Sequence, residues 1–175
     1  MDVLAGPFLA ASALLAVAGA SKLRRPAPAV GALRALGLPG SPLLVRAGAA
    51  VEVAVAAGAV AFGTRLFAGL VAASYLGFAL FVMAAMRRDV ALSSCGCFGR
   101  PDTPPSAVHV VVNLAFAGAA GAVAGAPVGD LPGVLAAQPL LGIPFLALTA
   151  VSVALAYVSL TVLPATLDLT SRTSR

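Results

Sequence analysis

The chain has 175 residues, of which 61% are hydrophobic and only 10% charged, with a mean hydropathy of +1.04. A soluble domain carries about 25% charged residues, so this composition excludes one and predicts an all-α integral membrane protein, a bundle of about five transmembrane helices whose surroundings are the lipid bilayer. The net charge of +5 does not indicate a nucleic-acid partner, because the basic residues punctuate apolar runs instead of clustering on one face with polar or aromatic neighbours.

Crossing a hydrocarbon core takes about 20 helical residues, and five segments are long enough: 3–20, 41–63, 66–86, 107–128 and 140–163. The first ends in Ala18-Gly19-Ala20, the small-x-small form of a secretory cleavage site. Asp2 precedes it, however, and Lys22, Arg24 and Arg25 follow it. That charge order suits an uncleaved first span with its N-terminus outside. Lys22 reads as an interfacial anchor, with a second role open to it in stabilising a thiolate.

Between the first two spans, "SKLRRPAPAVGALRALGLPG" predicts a short interfacial helix over 29–38, bounded by Pro and Gly. The second span carries Glu52, 11 residues in, which at 1.5 Å per residue is about 16 Å deep. An acid at that depth must be neutral, paired or hydrated, and is a functional candidate for that reason. Arg46 is a poor partner, since six residues at 100° each put the two on faces roughly 120° apart, and it is shallow enough to reach the membrane surface.

After the third span comes "RRDVALSSCGCFGRPDTPP", which holds both cysteines of the chain, Cys95 and Cys97. Ser106 follows two prolines and is placed to cap the fourth span, whose N-terminus then faces the loop. That N-terminus and the cations Arg87, Arg88 and Arg100 both favour thiolate. A disulfide across Cys-Gly-Cys closes a smaller ring than Cys-x-x-Cys, and Gly96 is the residue best able to take the dihedrals required. Strained disulfides are easily reduced and tend to be catalytic or regulatory. Two alternatives stay open: loop thiols without a shared role, and a soft-metal site for copper, zinc or mercury built from Cys95, Cys97 and His109.

On the fourth span His109 and Asn113 stand at i, i+4, one turn apart on one face. His109 is a candidate proton carrier for a thiol or a hydrogen-bond partner for a quinone carbonyl, with Asn113 orienting it. The same span holds Gly118-Ala119-Ala120-Gly121, small residues that let membrane helices approach closely; tight packing follows from them but no partner does, and a homo-oligomer is left open. Tyr75 and Tyr157 read as packing or interface residues. Basic residues counted by loop place the cysteine loop and the C-terminus on the cytoplasmic side of a cell membrane.

"SCGCFG" after a third hydrophobic span, "GASKL" closing the first, Glu52 in the second and Asn113 in the fourth together resemble the methylamine utilisation protein MauE family, related to the DoxX-like membrane proteins. The resemblance spans roughly residues 1–125, a helical bundle core with the Cys-Gly-Cys loop at 93–101, and leaves 139–163 as an additional C-terminal helix of a single membrane domain, 1–175. It implies a polytopic membrane protein that exchanges electrons with a thioredoxin-like partner and supports disulfide formation in an exported protein. By analogy it is similar to membrane thiol oxidoreductases of the vitamin K epoxide reductase and CcdA types. Disulfides form outside the cell, so the cytoplasmic placement by charge implies electron entry from inside, an inverted topology, or a loop folded back into the bundle. A two-thiol chain also needs an external electron acceptor, for which a membrane quinone is the candidate cofactor. A non-enzymatic assembly factor is the remaining alternative.

Overall fold

A computed structural model describes residues 4–88, 105–127, 131–137 and 139–161, and these are mostly helical, with no strand among them. Five helices are long and apolar enough to cross a membrane: α1 (Ala5–Arg24), α3 (Pro42–Phe62), α4 (Arg65–Arg87), α5 (Ala107–Gly125) and α7 (Ile143–Thr161). Two short helices join them, α2 (Ala27–Ala35) and α6 (Leu131–Ala136), with a 3₁₀ turn over Pro139–Gly142 before α7. The multi-span, all-α architecture is therefore the one composition demanded.

Local chemistry explains the boundaries. Helix α1 stops at the residues before Pro26, since proline disfavours helical geometry in its predecessor. Helix α2 closes with the Leu38 N–H on the Leu33 carbonyl and the Gly37 N–H on the Arg34 carbonyl, a Schellman motif that Gly37 permits at φ +73°. Ser41 caps α3 by accepting the Leu44 N–H at 3.2 Å, with Pro42 at the first helical position. Gly63, left-handed at φ +57°, ends α3 and leaves a two-residue link to α4.

Packing then sorts the five helices. The main pairs are α1 with α3 and α4 with α5, joined through a core of Phe8, Ala11, Leu15, Val55, Ala56, Ala59, Ala68, Val71, Tyr75, Ala117, Ala120 and Val123. Lipid is as apolar as these side chains, so close van der Waals fit holds the helices together, and alanines at the contacts supply it. Tyr75 adds a directed tie, its hydroxyl donating to the Ala11 carbonyl at 2.6 Å. Helix α1 is central, with 56% of its spanning window buried against 6% for α7, which leans on the outside of α1 and α5.

Two expectations change here. Gly118 and Gly121 face open space, and Ala117 and Ala120 make the contact instead; a motif of four small residues does not reveal which of them faces inward. Helix α6 was not foreseen, being too short to show a periodicity. One close approach that glycine does provide is at Gly58, where an added Cβ would strike the Phe67 ring, itself stacked on Phe62 at 5.7 Å between centroids. Gly58→Val should therefore cost about 1–3 kcal/mol by overpacking, whereas Gly118→Val should leave unfolding in mixed detergent micelles unchanged. Equal stability of the two variants would refute that packing.

Candidate functional site

Gly19 lets α1 and α3 meet closely, since an added Cβ would lie 2.8 Å from the Ala49 carbonyl oxygen and 3.2 Å from the Glu52 Cβ. One turn further on, this register delivers Lys22 to Glu52. The Lys22 ammonium lies 2.6 Å from both carboxylate oxygens. Only Oε1 receives it in hydrogen-bonding direction, and the buried Oε2 has no directed donor among the described residues. On its other side the ammonium sits 4.6 Å from the Phe78 ring centroid, a cation–π contact that partly replaces lost water.

Lys22 is thus not an interfacial anchor but a buried residue, 7% exposed, and the acid of the second span has its counter-ion on the first. Arg46 turns away, its Nε donating to the Leu23 carbonyl at 3.3 Å. The same end of the bundle is tied by Arg88, which donates from Nη1 to the Leu36 carbonyl at 2.7 Å, so α2 is pinned to the end of α4.

The second polar centre is on α5. His109 is 1% and Asn113 5% exposed, so both lie on the buried face that the i, i+4 spacing implies. Ser106 occupies the N-cap position without a side-chain bond to the helix backbone; its hydroxyl instead meets His109 Nδ1 at 2.9 Å. Asn113 donates from Nδ2 to the His109 carbonyl at 2.6 Å, so it secures the helix turn while Ser106, not Asn113, orients the imidazole. The other ring nitrogen, Nε2, is buried without a partner among the described residues. Whichever tautomer Ser106 selects, Nε2 keeps one unmet hydrogen-bonding need.

Two cavities flank these centres. One, of about 20 Å³, lies among Leu14, Ala18, Tyr75, His109, Asn113 and Leu160, room for about one water. Leu160, contributed by α7, is 4% exposed. The other, of about 360 Å³, is a groove between α2, α3 and α4 with Lys22 and Glu52 in its wall. Phe78 lines both, and the Tyr75 ring meets it edge-on at 5.9 Å between centroids. Sequence reading missed Phe78 altogether, because nothing local distinguishes an aromatic residue that faces a buried cation from one that faces lipid. Cys95, Gly96, Cys97 and Arg100 lie outside the described residues, which contain no group of three or more metal-binding side chains.

Residues 3–126 match the family model described as Methylamine utilisation protein MauE, a segment that includes α1 to α5 and stops before α7. No curated protein matches the chain, and no solved structure does.

Proposed function

The chain belongs to the methylamine utilisation protein MauE family, and from that premise we propose that this multi-pass membrane protein is a thiol:disulfide oxidoreductase acting through Cys95 and Cys97 on a thioredoxin-like partner. In the oxidising direction a partner thiolate attacks one sulfur of the Cys95–Cys97 disulfide, breaking that bond and forming a mixed disulfide. The partner's second thiolate then displaces the bound cysteine. The partner leaves as a disulfide, and the pair remains as a dithiol carrying two electrons and two protons.

His109 is the proposed proton carrier for this exchange. The observation that carries the reading is its buried Nε2, without a partner among the described residues, on the helix that begins at Ala107 just after the cysteine loop. Ser106 holds the ring from the other side, so the free nitrogen has a defined orientation. General acid–base groups need that positioning before any tuning of affinity for protons.

Intact-protein mass after differential alkylation in graded glutathione buffers, with metal analysis of the same sample, tests the reading. A reversible two-electron couple confined to Cys95 and Cys97 is the expected result. Thiols that stay reduced throughout, or a stoichiometric metal protecting them, would transfer the assignment to a soft-metal site.

A further inference from the structure

We propose that the groove between α2, α3 and α4 binds the ring head of a membrane quinone, with the Lys22–Glu52 pair as its polar recognition element. Its volume of about 360 Å³ falls within the range of small-molecule sites, about 300–1,000 Å³. Small residues create the space on both walls: Gly48 and Ala49 on α3 face Ala73, Ser74 and Gly77 on α4. Nothing lies within 4 Å of where a Cβ would stand on Gly48 or Gly77. Leu44, Gly48, Ala73 and Gly77 are exposed at the rim, so the groove opens on the apolar outside of the bundle, where a lipid-soluble ligand resides.

The chemistry of the back wall selects the head group. An ammonium has three donors, of which at most two serve the Glu52 oxygens, leaving one for a carbonyl acceptor. Glu52, by pairing with the ammonium, fixes where that donor stands in the groove wall. The pair is neutral overall, so a phosphate headgroup would meet Glu52 repulsion along with Lys22 attraction, whereas a neutral ring carbonyl accepts from the ammonium without bringing a charge of its own. Phe78 and Phe81 supply aromatic wall for the ring.

In a step that rests on the redox reading above, the bound quinone is the oxidant of the cysteine pair. Two thiols pass two electrons and two protons to the quinone, giving a disulfide and a quinol. Phe78, shared by the groove and the His109 cavity, is the ring between the two polar centres.

The test uses the full chain in quinone-free phosphatidylcholine nanodiscs, titrated with decylubiquinone by calorimetry and mapped with a photoreactive azidoquinone. Saturable binding of one molecule per chain, with cross-links on α3 and α4, is expected. Gly77→Leu, which fills the groove without touching the ion pair, should weaken binding at least tenfold with unchanged thermal unfolding, and the K22M/E52L double variant should weaken it similarly. Non-saturable partitioning that is equal in wild type and Gly77→Leu, or displacement of the probe by phosphatidylglycerol, would overturn the site. The C95S/C97S variant should bind like wild type, which separates the two ideas. Binding with no thiol oxidation leaves the site and removes the redox reading, whereas a reversible cysteine couple with no binding removes the site alone.

Discussion

Replacing Lys22 with methionine should destabilise the bundle by about 3–5 kcal/mol, because it leaves Glu52 as an uncompensated charge in the interior. The geometry makes the loss severe: the ammonium that disappears is within 2.6 Å of both carboxylate oxygens, and Arg46, the next nearest cation along α3, is already engaged with the Leu23 carbonyl. The neutral pair Lys22→Met with Glu52→Leu should recover most of the loss, since two apolar side chains of similar size carry no desolvation penalty. Phe78→Leu removes the cation–π contact, which should cost about 1 kcal/mol or less, along with the edge-on contact to Tyr75. Reversible unfolding in mixed micelles of dodecyl sulfate and a mild detergent reads all four proteins. If Lys22→Met unfolds within 0.5 kcal/mol of wild type, a figure typical of ordinary surface changes, the pair is hydrated and its structural role is refuted.

The largest effect on the proposed activity should come from the cysteines. Cys95→Ser and Cys97→Ser should each abolish turnover of a thioredoxin-like partner, because neither variant can form the Cys95–Cys97 disulfide that the partner's thiolate attacks. Given oxidised partner, so that the exchange runs in reverse, only one of the two should accumulate the mixed disulfide, visible as a partner adduct on non-reducing gels, and that one retains the cysteine that bonds to the partner. His109→Gln keeps a polar side chain near Ser106 but removes the ring nitrogen proposed to carry the proton, and it should slow exchange by about 10²–10⁴-fold. The loss should shrink as pH rises toward that of the free thiolate, where no base is needed. A merely structural His109 would show a pH-independent defect with lowered thermal stability instead. Neither cysteine variant trapping an adduct would count against the oxidoreductase as a whole.

The two centres differ in how far they could be read from the chain. The His109–Asn113 face was legible, because an i, i+4 pair in an apolar helix shares a face whatever the helix packs on. Ser106 was legible as a helix start but not as the partner of His109 Nδ1, since an N-cap hydroxyl can reach either the backbone or a side chain in the first turn. Lys22 and Glu52 were each singled out, yet their pairing was not. It depends on the register of α1 against α3, which Gly19 sets by admitting the Ala49 carbonyl and the Val53 side chain. The cysteine pair, the most distinctive motif in the sequence, contributes chemistry to the reading and no geometry, because it lies outside the described residues.

By itself the sequence determined the membrane class, the five spans to within a few residues and the presence of two closely spaced cysteines. Those properties follow from composition, length and neighbours along the chain, where hydrophobic run length and turn residues act locally. Only the tertiary structure decided which helix is central, which small residues make contact, that Lys22 is buried against Glu52, and that Phe78 stands between the groove and the His109 cavity. The physical reason is that nearly every residue in a membrane helix is apolar, so hydrophobicity no longer distinguishes the inward face. Inter-helix register is then set by side-chain fit and by a few polar pairs, and such pairs exist only once the helices have met.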